Sequence, residues 1–417
     1  MNLKGKIPKN YIGIVEKITK IATDNNYVIY AVGGFVRDLI INREPNDLDI
    51  MVETDNGGIE FAQLLSNKLN LSEPVIFERF GTAKLTVENR EIEFIMPRKE
   101  YYDENSRNPD TEIGSLRQDA LRRDFTVNAL FLRLNDMELV DLTGLGLEDI
   151  KNKIIRVTDE SASDVIFEQD PLRILRAVRQ SFQLDFEIES KTYSSMKKNI
   201  ERIKIVSPER IRDEINKMLV LDNPSKAFDM LKSIGLFSVI FPELDYNVFE
   251  KTKKNLDEIP NELVLKLAIL LYQVQDFEPV LIRLKYSKEI IKRVSLLIEG
   301  LQYVQLYKKQ WTDYEIRKFE KKYRNITADL KNLCFSLGMK GTDGLFERIY
   351  VMSLDNNLVP EKDMFDGNEL IQIFNKPSGK WISNVKSYIE QLQYNNPKIT
   401  KDEIIKEIKL LLKNQSI

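Results

Sequence analysis

Histidine is absent from all 417 residues. That excludes a histidine general base, a Ser-His-Asp triad and imidazole metal ligands. Cys334 is the only cysteine, so the chain has no internal disulfide and no cysteine-based zinc site. A metal must then sit on carboxylates, which favours magnesium or manganese. No apolar run is long enough to span a membrane. The opening segment Met1 to Pro8 lacks the apolar core of a signal peptide. No membrane partner and a cytoplasmic location are therefore expected. Neither sign of charge dominates: 62 Lys and Arg face 65 Asp and Glu, a net charge of −3. Bulk electrostatics give no argument for nucleic acid, and a basic surface would have to be local.

The chain does have ample apolar material, at 42% hydrophobic against 30% charged residues. That suits a globular protein, and the length predicts two or three domains. Apolar residues at helical spacing (Ile12, Val15, Ile18, Ile21) predict an opening helix over 10–27. Val28 to Val32 read as a buried strand ending at Gly33-Gly34, with a helix following from Phe35 to Ile41. Arg43 to Asn46 is turn chemistry, and Asp47-Leu48-Asp49 opens a second strand. Residues two apart on a strand share a face, so Asp47 and Asp49 project together while Leu48 turns inward. Residues 57–70 read as a helix, and Ala83 to Val87 and Ile92 to Met96 as strands joined at Glu88-Asn89-Arg90. The polar stretch 99–115 reads as a flexible loop, and Phe125 to Leu134 is apolar. The mixture of α and β ends near residue 155, and the pattern beyond about 160 is almost entirely helical.

Four clusters carry chemistry. Asp-x-Asp alone is a common strand start. Beside Gly33-Gly34 and Arg37 it suggests a metal and triphosphate site, because glycine allows close approach and a helix N-terminus favours anions. Glu93, inside an apolar strand, either fills a polar face or supplies a third carboxylate. In Leu121 to Ala129, Asp124 is either a helix cap or, with Asn128, a brace for a site that Arg123 faces. Asp170-Pro171 starts a helix, with Asp170 at N-cap and Pro171 at N1. On that helix Leu175, Val178 and Phe182 should face the core, while Arg173, Arg176 and Arg179 drift along the other side. Those arginines form either a solvated face or the donors of a nucleotide pocket.

In sequence order, Gly-Gly-Phe-Val-Arg-Asp (33–38), Asp-Leu-Asp (47–49), Arg-Arg-Asp-Phe-Thr-Val-Asn-Ala (122–129) and Asp-Pro-Leu-Arg-Ile-Leu-Arg-Ala-Val-Arg (170–179) resemble the motifs of class II tRNA nucleotidyltransferases. These are the CCA-adding enzymes, which share a head with bacterial poly(A) polymerases. The likeness covers about 28–220, including Ser207-Pro208-Glu209-Arg210-Ile211 as a neck segment, and returns at Asp366 to Leu370 and Lys376 to Gly379. It implies an α+β fold: a polymerase-β-type head with a mixed sheet and helices, then an all-helical neck, body and tail. The implied divisions are 1–155 (catalytic head), 156–225 (neck, nucleotide selection and RNA binding), 226–360 (body) and 361–417 (tail). The implied reaction transfers CMP and AMP from CTP and ATP to a tRNA 3′ end, releasing pyrophosphate. By the same match Asp47 and Asp49 hold Mg2+ and Glu93 is the third acid. Gly33, Gly34, Arg37 and Arg123 contact the triphosphate. Asp170 and Arg173 select the base, with Arg176 and Arg179 as further nucleotide contacts.

Two departures stand out. Gln169 occupies a position that is usually glutamate. Tyr272-Gln273 stands where the body of longer members has His-Asp, which implies a degenerate HD-like body, a scaffold without hydrolase activity that could still help bind tRNA. Lys251 to Lys254 and Arg317 to Arg324 are basic clusters that could meet RNA phosphate or form ordinary helix faces. Alternatives to CCA addition are an A-adding or CC-adding half of a split pair, a poly(A) polymerase, or an inactive RNA-binding protein. The presence of the 99–115 segment speaks against a CC-only enzyme. The chain also lacks an arginine-rich poly(A) signature near Phe77 to Leu85.

Overall fold

All four residues of the strand Ile29–Val32 (β1) are buried, as expected of a strand covered on both faces. The computed structural model describes residues 3–101, 110–307, 311–360 and 363–413. It comprises two compact units, Met1–Tyr246 and Asn247–Ile417.

In the first unit β1 is followed by β2 (Leu48–Val52), β3 (Val75–Phe77), β4 (Thr82–Val87), β5 (Arg90–Ile95), β6 (Arg98–Tyr101), β7 (Asp110–Ile113), β8 (Leu130–Arg133) and β9 (Glu138–Asp141). Seven of them form one sheet in the order β3-β4-β5-β2-β1-β8-β9. Only β2 and β5 run parallel; the other neighbours are antiparallel. The helices of this unit are α1 (Lys9–Asp24), α2 (Gly34–Ile40), α3 (Gly57–Leu69), α4 (Leu116–Arg122), α5 (Gly146–Asn152), α6 (Ser163–Gln169), α7 (Leu172–Leu184), α8 (Ser190–Asn199), α9 (Pro208–Leu219) and α10 (Pro224–Ser233), with shorter turns after them.

The two sheet faces differ, and the difference positions the site. α3 packs over β2, β4 and β5, with Phe61 edge-on to Phe94 at 5.8 Å. On the other face Tyr30, Val32, Met51 and Phe131 pack with Ala120 of α4. Cross-strand register puts Asp49 opposite Val32 and Met51 opposite Tyr30. Asp49 therefore shares this second face, at the end of the strand where the apolar layer stops.

Helix and strand positions follow the hydrophobic pattern closely; β3 was not expected, and four further differences bear on the site. First, residues 98–101 and 110–113 are not loop but an antiparallel ribbon, β6 with β7. The sequences Arg-Lys-Glu-Tyr and Asp-Thr-Glu-Ile offer no apolar alternation for a hydrophobic reading to find. The tip, 102–109, lies outside the described residues. Second, Asp124 caps no helix: α4 ends at Arg122, and the apolar run divides into a short 3-10 turn, Thr126–Asn128, and β8. Third, strand pairing outlasts residue 155, because Ile154–Ile155 runs parallel to Glu187–Ile188. Fourth, α7 is assigned from Leu172, with Pro171 at its N-cap. Asp170 still accepts the Leu172 N–H at 3.3 Å.

The second unit has no strand among its described residues. Its last three helices, Gly367–Phe374, Trp381–Asn395 and Lys401–Lys413, share a core of Leu370, Val385, Ile389, Ile404 and Ile408. Arg317 is buried here and bonds inward, so it is not an RNA contact. Its Nη1 donates to the Tyr394 carbonyl at 2.8 Å, and its Nε to the Asn357 carbonyl at 2.8 Å. These acceptors close the ends of Trp381–Asn395 and of the turn after Asp343–Leu354. A guanidinium suits both, since helix C-termini carry unpaired carbonyls and partial negative charge. Arg324 pairs with Glu320, and Lys322 with Glu299. That basic cluster is largely committed within the unit. Burial also pushes the Cys334 thiol up to about 12, which leaves it unreactive. Arg317→Ala is expected to lower the stability of this unit by about 3 kcal/mol, since it strands buried acceptors. Arg317→Lys should recover little of the loss. Urea unfolding of the three proteins checks both expectations.

Candidate active site

The acids come together through strand register. Asp49 on β2 stands opposite Glu93 on β5, and Glu93 opposite Lys84 on β4. Directly paired residues share a face, so one rung carries two acids and a lysine. Asp47 lies two residues before Asp49 and is exposed, while Leu48 is buried at 1% exposure. Burial pushes the Asp49 carboxyl up to about 6, helped by the charges of Glu93 and Asp47 and opposed by Arg123 and Lys84. A carboxylate held this way is relieved by a cation. Among the described residues no three acidic side chains form a ready-made metal cage. That is no obstacle for magnesium, which is commonly held by one or two carboxylates with phosphate oxygens and water completing the shell.

The wall beside the acids has features that suit an anion. β1 gives way to Gly33, whose φ of +68° and ψ of −136° suit only glycine. Arg37, one turn into α2, is 9% exposed. It donates to Asp38 at 2.9 Å and to the Asn128 side chain at 2.7 Å. A Cβ on Gly34 would come within 3.3 Å of the Arg37 guanidinium, and one on Gly33 within 3.4 Å of Arg123. The small residues keep the space in front of both arginines open. Arg123 is oriented by the buried Asp119 at 2.9 Å and lies over the Phe131 ring.

α7 does not present a solvated basic face. Arg173 is 7% exposed and donates to the Arg122 carbonyl at 2.7 Å. Arg176 pairs with Asp124 at 2.7 Å, and Arg179 with Glu214 of α9 at 2.6 Å. Asp170 is gripped by Arg210 of α9 at 2.8 Å. Leu175 and Val178 enter the core as expected, but Phe182 is only half-buried and lines the cleft. Burial opposes ionisation of Asp124. Arg176, the Asn128 hydrogen bond and Arg173 outweigh it and hold the carboxyl well below its usual range.

Asp47, Asp49, Gly33, Gly34, Arg37, Arg123, Asp170, Arg173, Arg176 and Arg179 line one cleft of about 2130 Å³. Glu93 is half-buried on the adjoining strand and is not part of the cleft wall. The volume exceeds what a nucleotide alone needs, so there is room for a second reactant. Pattern reading missed Gln180, Glu214, Arg210, Asp119 and Lys84. Gln180 accepts from Asn128 at 2.9 Å and donates to Asp124 at 3.4 Å. Arg173, Arg176 and Gln180 fall at i, i+3 and i+7, a polar stripe that could have signalled it. Arg210, Glu214 and Lys217, at i, i+4 and i+7, form a comparable stripe on α9.

A mixed sheet carrying paired carboxylates, a glycine turn and an arginine wall defines a nucleotidyltransferase. A poly(A) polymerase head-domain family model matches residues 29–156. Models for an RNA- and SrmB-binding site of the polymerase and for a tRNA nucleotidyltransferase domain 2 match 185–247 and 261–408. The chain is 30% identical over 401 residues to the CCA-adding enzyme of Staphylococcus epidermidis, covering 93% of this chain and 95% of that one. It is 31% identical over 265 residues to tRNA nucleotidyltransferase cca1 of Schizosaccharomyces pombe, covering 60% of this chain and 52% of that one. The crystal structure of the Bacillus stearothermophilus CCA-adding enzyme in complex with CTP shares the fold, with a TM-score of 0.76 at 20% identity, over 98% of this chain and 99% of that one. This chain belongs to the tRNA nucleotidyltransferase family that includes the CCA-adding enzymes. Among its described residues no helix is long and apolar enough to cross a membrane.

The raised Asp49 carboxyl has a thermodynamic consequence. The folded state favours its protonated form. Its contribution to stability is thus fully present below the ordinary value of 3.8 and is lost as pH rises through about 6. In metal-free protein, Asp49→Asn is expected to raise the Tm at pH 7.5 and to leave it unchanged at pH 3.5. Magnesium should raise the wild-type Tm at pH 7.5 and leave the variant's unmoved. Melting curves across pH, with and without the ion, test all three outcomes.

Proposed function

We propose that this protein adds C, C and A in turn to the 3′ end of tRNA, using CTP and ATP and releasing pyrophosphate, in the cytoplasm. The observation that carries the reading is the single cleft that joins the Asp47 and Asp49 carboxylates, the Gly33-to-Arg37 wall and the arginines of α7. The first two suit chemistry at a triphosphate. The third supplies planar donors for a base edge.

In this reading Gly33, Gly34, Arg37 and Arg123 bind and orient the triphosphate. Asp170 and Arg173 read the base, with Arg176 and Arg179 as further nucleotide contacts. A bond forms between the RNA 3′ oxygen and the α-phosphorus, and the bond to pyrophosphate breaks on the opposite side. Magnesium, held by Asp47 and Asp49 with Glu93 beside them, would stabilise charge on the attacking and leaving oxygens. The wall arginines steady the departing pyrophosphate, and the Asp124 network keeps Arg176 and Asn128 in place. Residues 1–155 then act as catalytic head and 156–225 as selecting neck. The body over 226–360 and the tail over 361–417 are RNA-binding scaffold.

The test uses purified protein, tRNAs ending in -N, -C and -CC, and CTP and ATP supplied singly and together. Addition of C, C and A that stops after A is the expected result. Long A tails on unrelated RNA would overturn it in favour of a poly(A) polymerase. Failure to extend any substrate with C would leave an A-adding enzyme, and C addition without A a CC-adding one. Asp49→Ala should abolish incorporation with tRNA binding retained. Arg173→Ala should lower the CTP and ATP preference over UTP and GTP at least tenfold, with a smaller effect on triphosphate affinity, of the order of one lost bidentate contact.

A further inference from the structure

The outer edge of the sheet carries an exposed apolar surface that the chemistry above does not use. Val75, Ile76 and Phe77 of β3 are 61%, 38% and 41% exposed, and Phe80 just after them is 37% exposed. A bare apolar edge strand invites unwanted pairing, so proteins normally blunt it with charge. Phe80 is not on a slack loop. It ends the short 3-10 turn Glu78–Phe80, and Gly81 follows at a φ of +59°. A Cβ on Gly81 would lie 2.6 Å from Met96, so the turn is pressed against the sheet. The Thr82 hydroxyl donates to the Phe80 carbonyl at 3.2 Å. The backbone that carries the ring is thus fixed, and the ring is part-exposed.

Two guanidinium groups flank it, with the Glu78 carboxylate in the same turn. The guanidinium carbons of Arg79 and Arg98 lie 5.8 and 5.7 Å from the Phe80 ring centroid. Phe80 and Arg98 line the same cleft as Asp47 and Asp49. Direction matters as well. In-line displacement puts the attacking oxygen opposite the leaving group. The pyrophosphate wall lies at the end of β1, and the acids lie on β2 and β5. The attacking RNA end therefore approaches over β5, β4 and β3, the side on which Phe80 stands. From β2 to β3 is three strand spacings, roughly 14 Å.

We propose that Phe80, flanked by Arg79 and Arg98, is a stacking subsite for a base at the 3′ end of the acceptor RNA. This rests on the nucleotidyl transfer reading and adds to it the place where the single strand is held. An aromatic face accepts any base, and the neighbouring guanidinium groups meet the sugar-phosphate. Such a subsite suits an enzyme whose acceptor end changes after every addition, because stacking does not depend on which base is terminal.

The experiment is a cycle between Phe80→Ala and removal of a base from the RNA. Full-length wild-type, Phe80→Ala and Phe80→Trp proteins are given tRNA ending in -C and the same tRNA with that terminal nucleotide, then the one before it, made abasic. Removal of Phe80 should raise the KM for tRNA roughly tenfold, within the range of one lost base–aromatic stack. The KM for CTP should stay within twofold, Phe80→Trp should restore tRNA affinity, and melting temperatures should agree. The abasic change at one of the two positions should cost the wild type the same factor and cost Phe80→Ala nothing more. Multiplying losses at both positions, or an equal rise in the KM for CTP, would overturn the subsite and leave nucleotidyl transfer standing. A change in sedimentation with protein concentration that Phe80→Ala removes, with tRNA affinity unaltered, would assign the edge to self-association and overturn the subsite. No incorporation by the wild type on any tRNA would overturn both readings.

Discussion

A carboxylate buried to 8% exposure, that of Asp124, is the constraint on which the rest of the site depends. A lone buried acid would give up its charge. Asp124 keeps it because Arg176 reaches it from α7, and Asn128 donates to it at 2.9 Å. The backbone N–H of Phe125 donates to it as well, at 2.8 Å. These partners belong to separate parts of the chain. The acid follows α4 in the sheet-bearing region, while Arg176 and Gln180 belong to a helix some fifty residues later. Asn128 then passes the constraint to Arg37. One ionised group thereby fixes a residue of the anion wall relative to the arginine helix. Removing either charged partner would strand the other in a poorly solvated place, the expensive way to break a buried pair.

The acid rung obeys the opposite logic. Asp49, Glu93 and Asp47 are placed so that they repel, and the fold supplies Arg123 and Lys84 as only partial relief. The buried apolar residues of β2 and β5 hold the acids where they would not settle by themselves. Stability is given up locally, and a bound cation would relieve the repulsion. The two halves of the cleft thus carry different electrostatic states: a satisfied network toward α7 and α9, and an unsatisfied rung toward β5.

Much of this was legible in the residue order because strong local signals coincided. The buried run before Gly33-Gly34, the turn at Arg43 to Asn46 and the alternation at Asp47 to Asp49 each have a short-range cause. β1, α2 and β2 lie within a residue or two of their expected places. The hairpin at Glu88-Asn89 is of the same kind, with both residues at positive φ, as a two-residue turn requires. β3 escaped notice because it is three residues long and exposed throughout. The β6–β7 ribbon escaped because its residues give no apolar period. The partners of the arginines were hidden for a different reason. Glu214 and Gln180 look like the polar side of any amphipathic helix until tertiary packing turns those sides toward each other.

That packing also bears on Gln169, whose neutral side chain stands where a glutamate is usual in the family. If support for Asp170 had to come from its sequence neighbour, loss of that charge would loosen it. The Asp170 carboxylate is instead held by Arg210, at 2.8 and 3.4 Å, and by the Leu172 N–H. The grip comes from α9 and from the first turn of α7, so its strength does not require an acid at 169. α9 supplies Glu214 to Arg179 on α7 and Arg210 to Asp170 just before it, one acid and one base aimed at opposite charges. A two-point clamp of opposite polarity fixes the rotation of α7 as well as its distance. Rotation is the quantity that decides which donors and acceptors of a helix face the cleft.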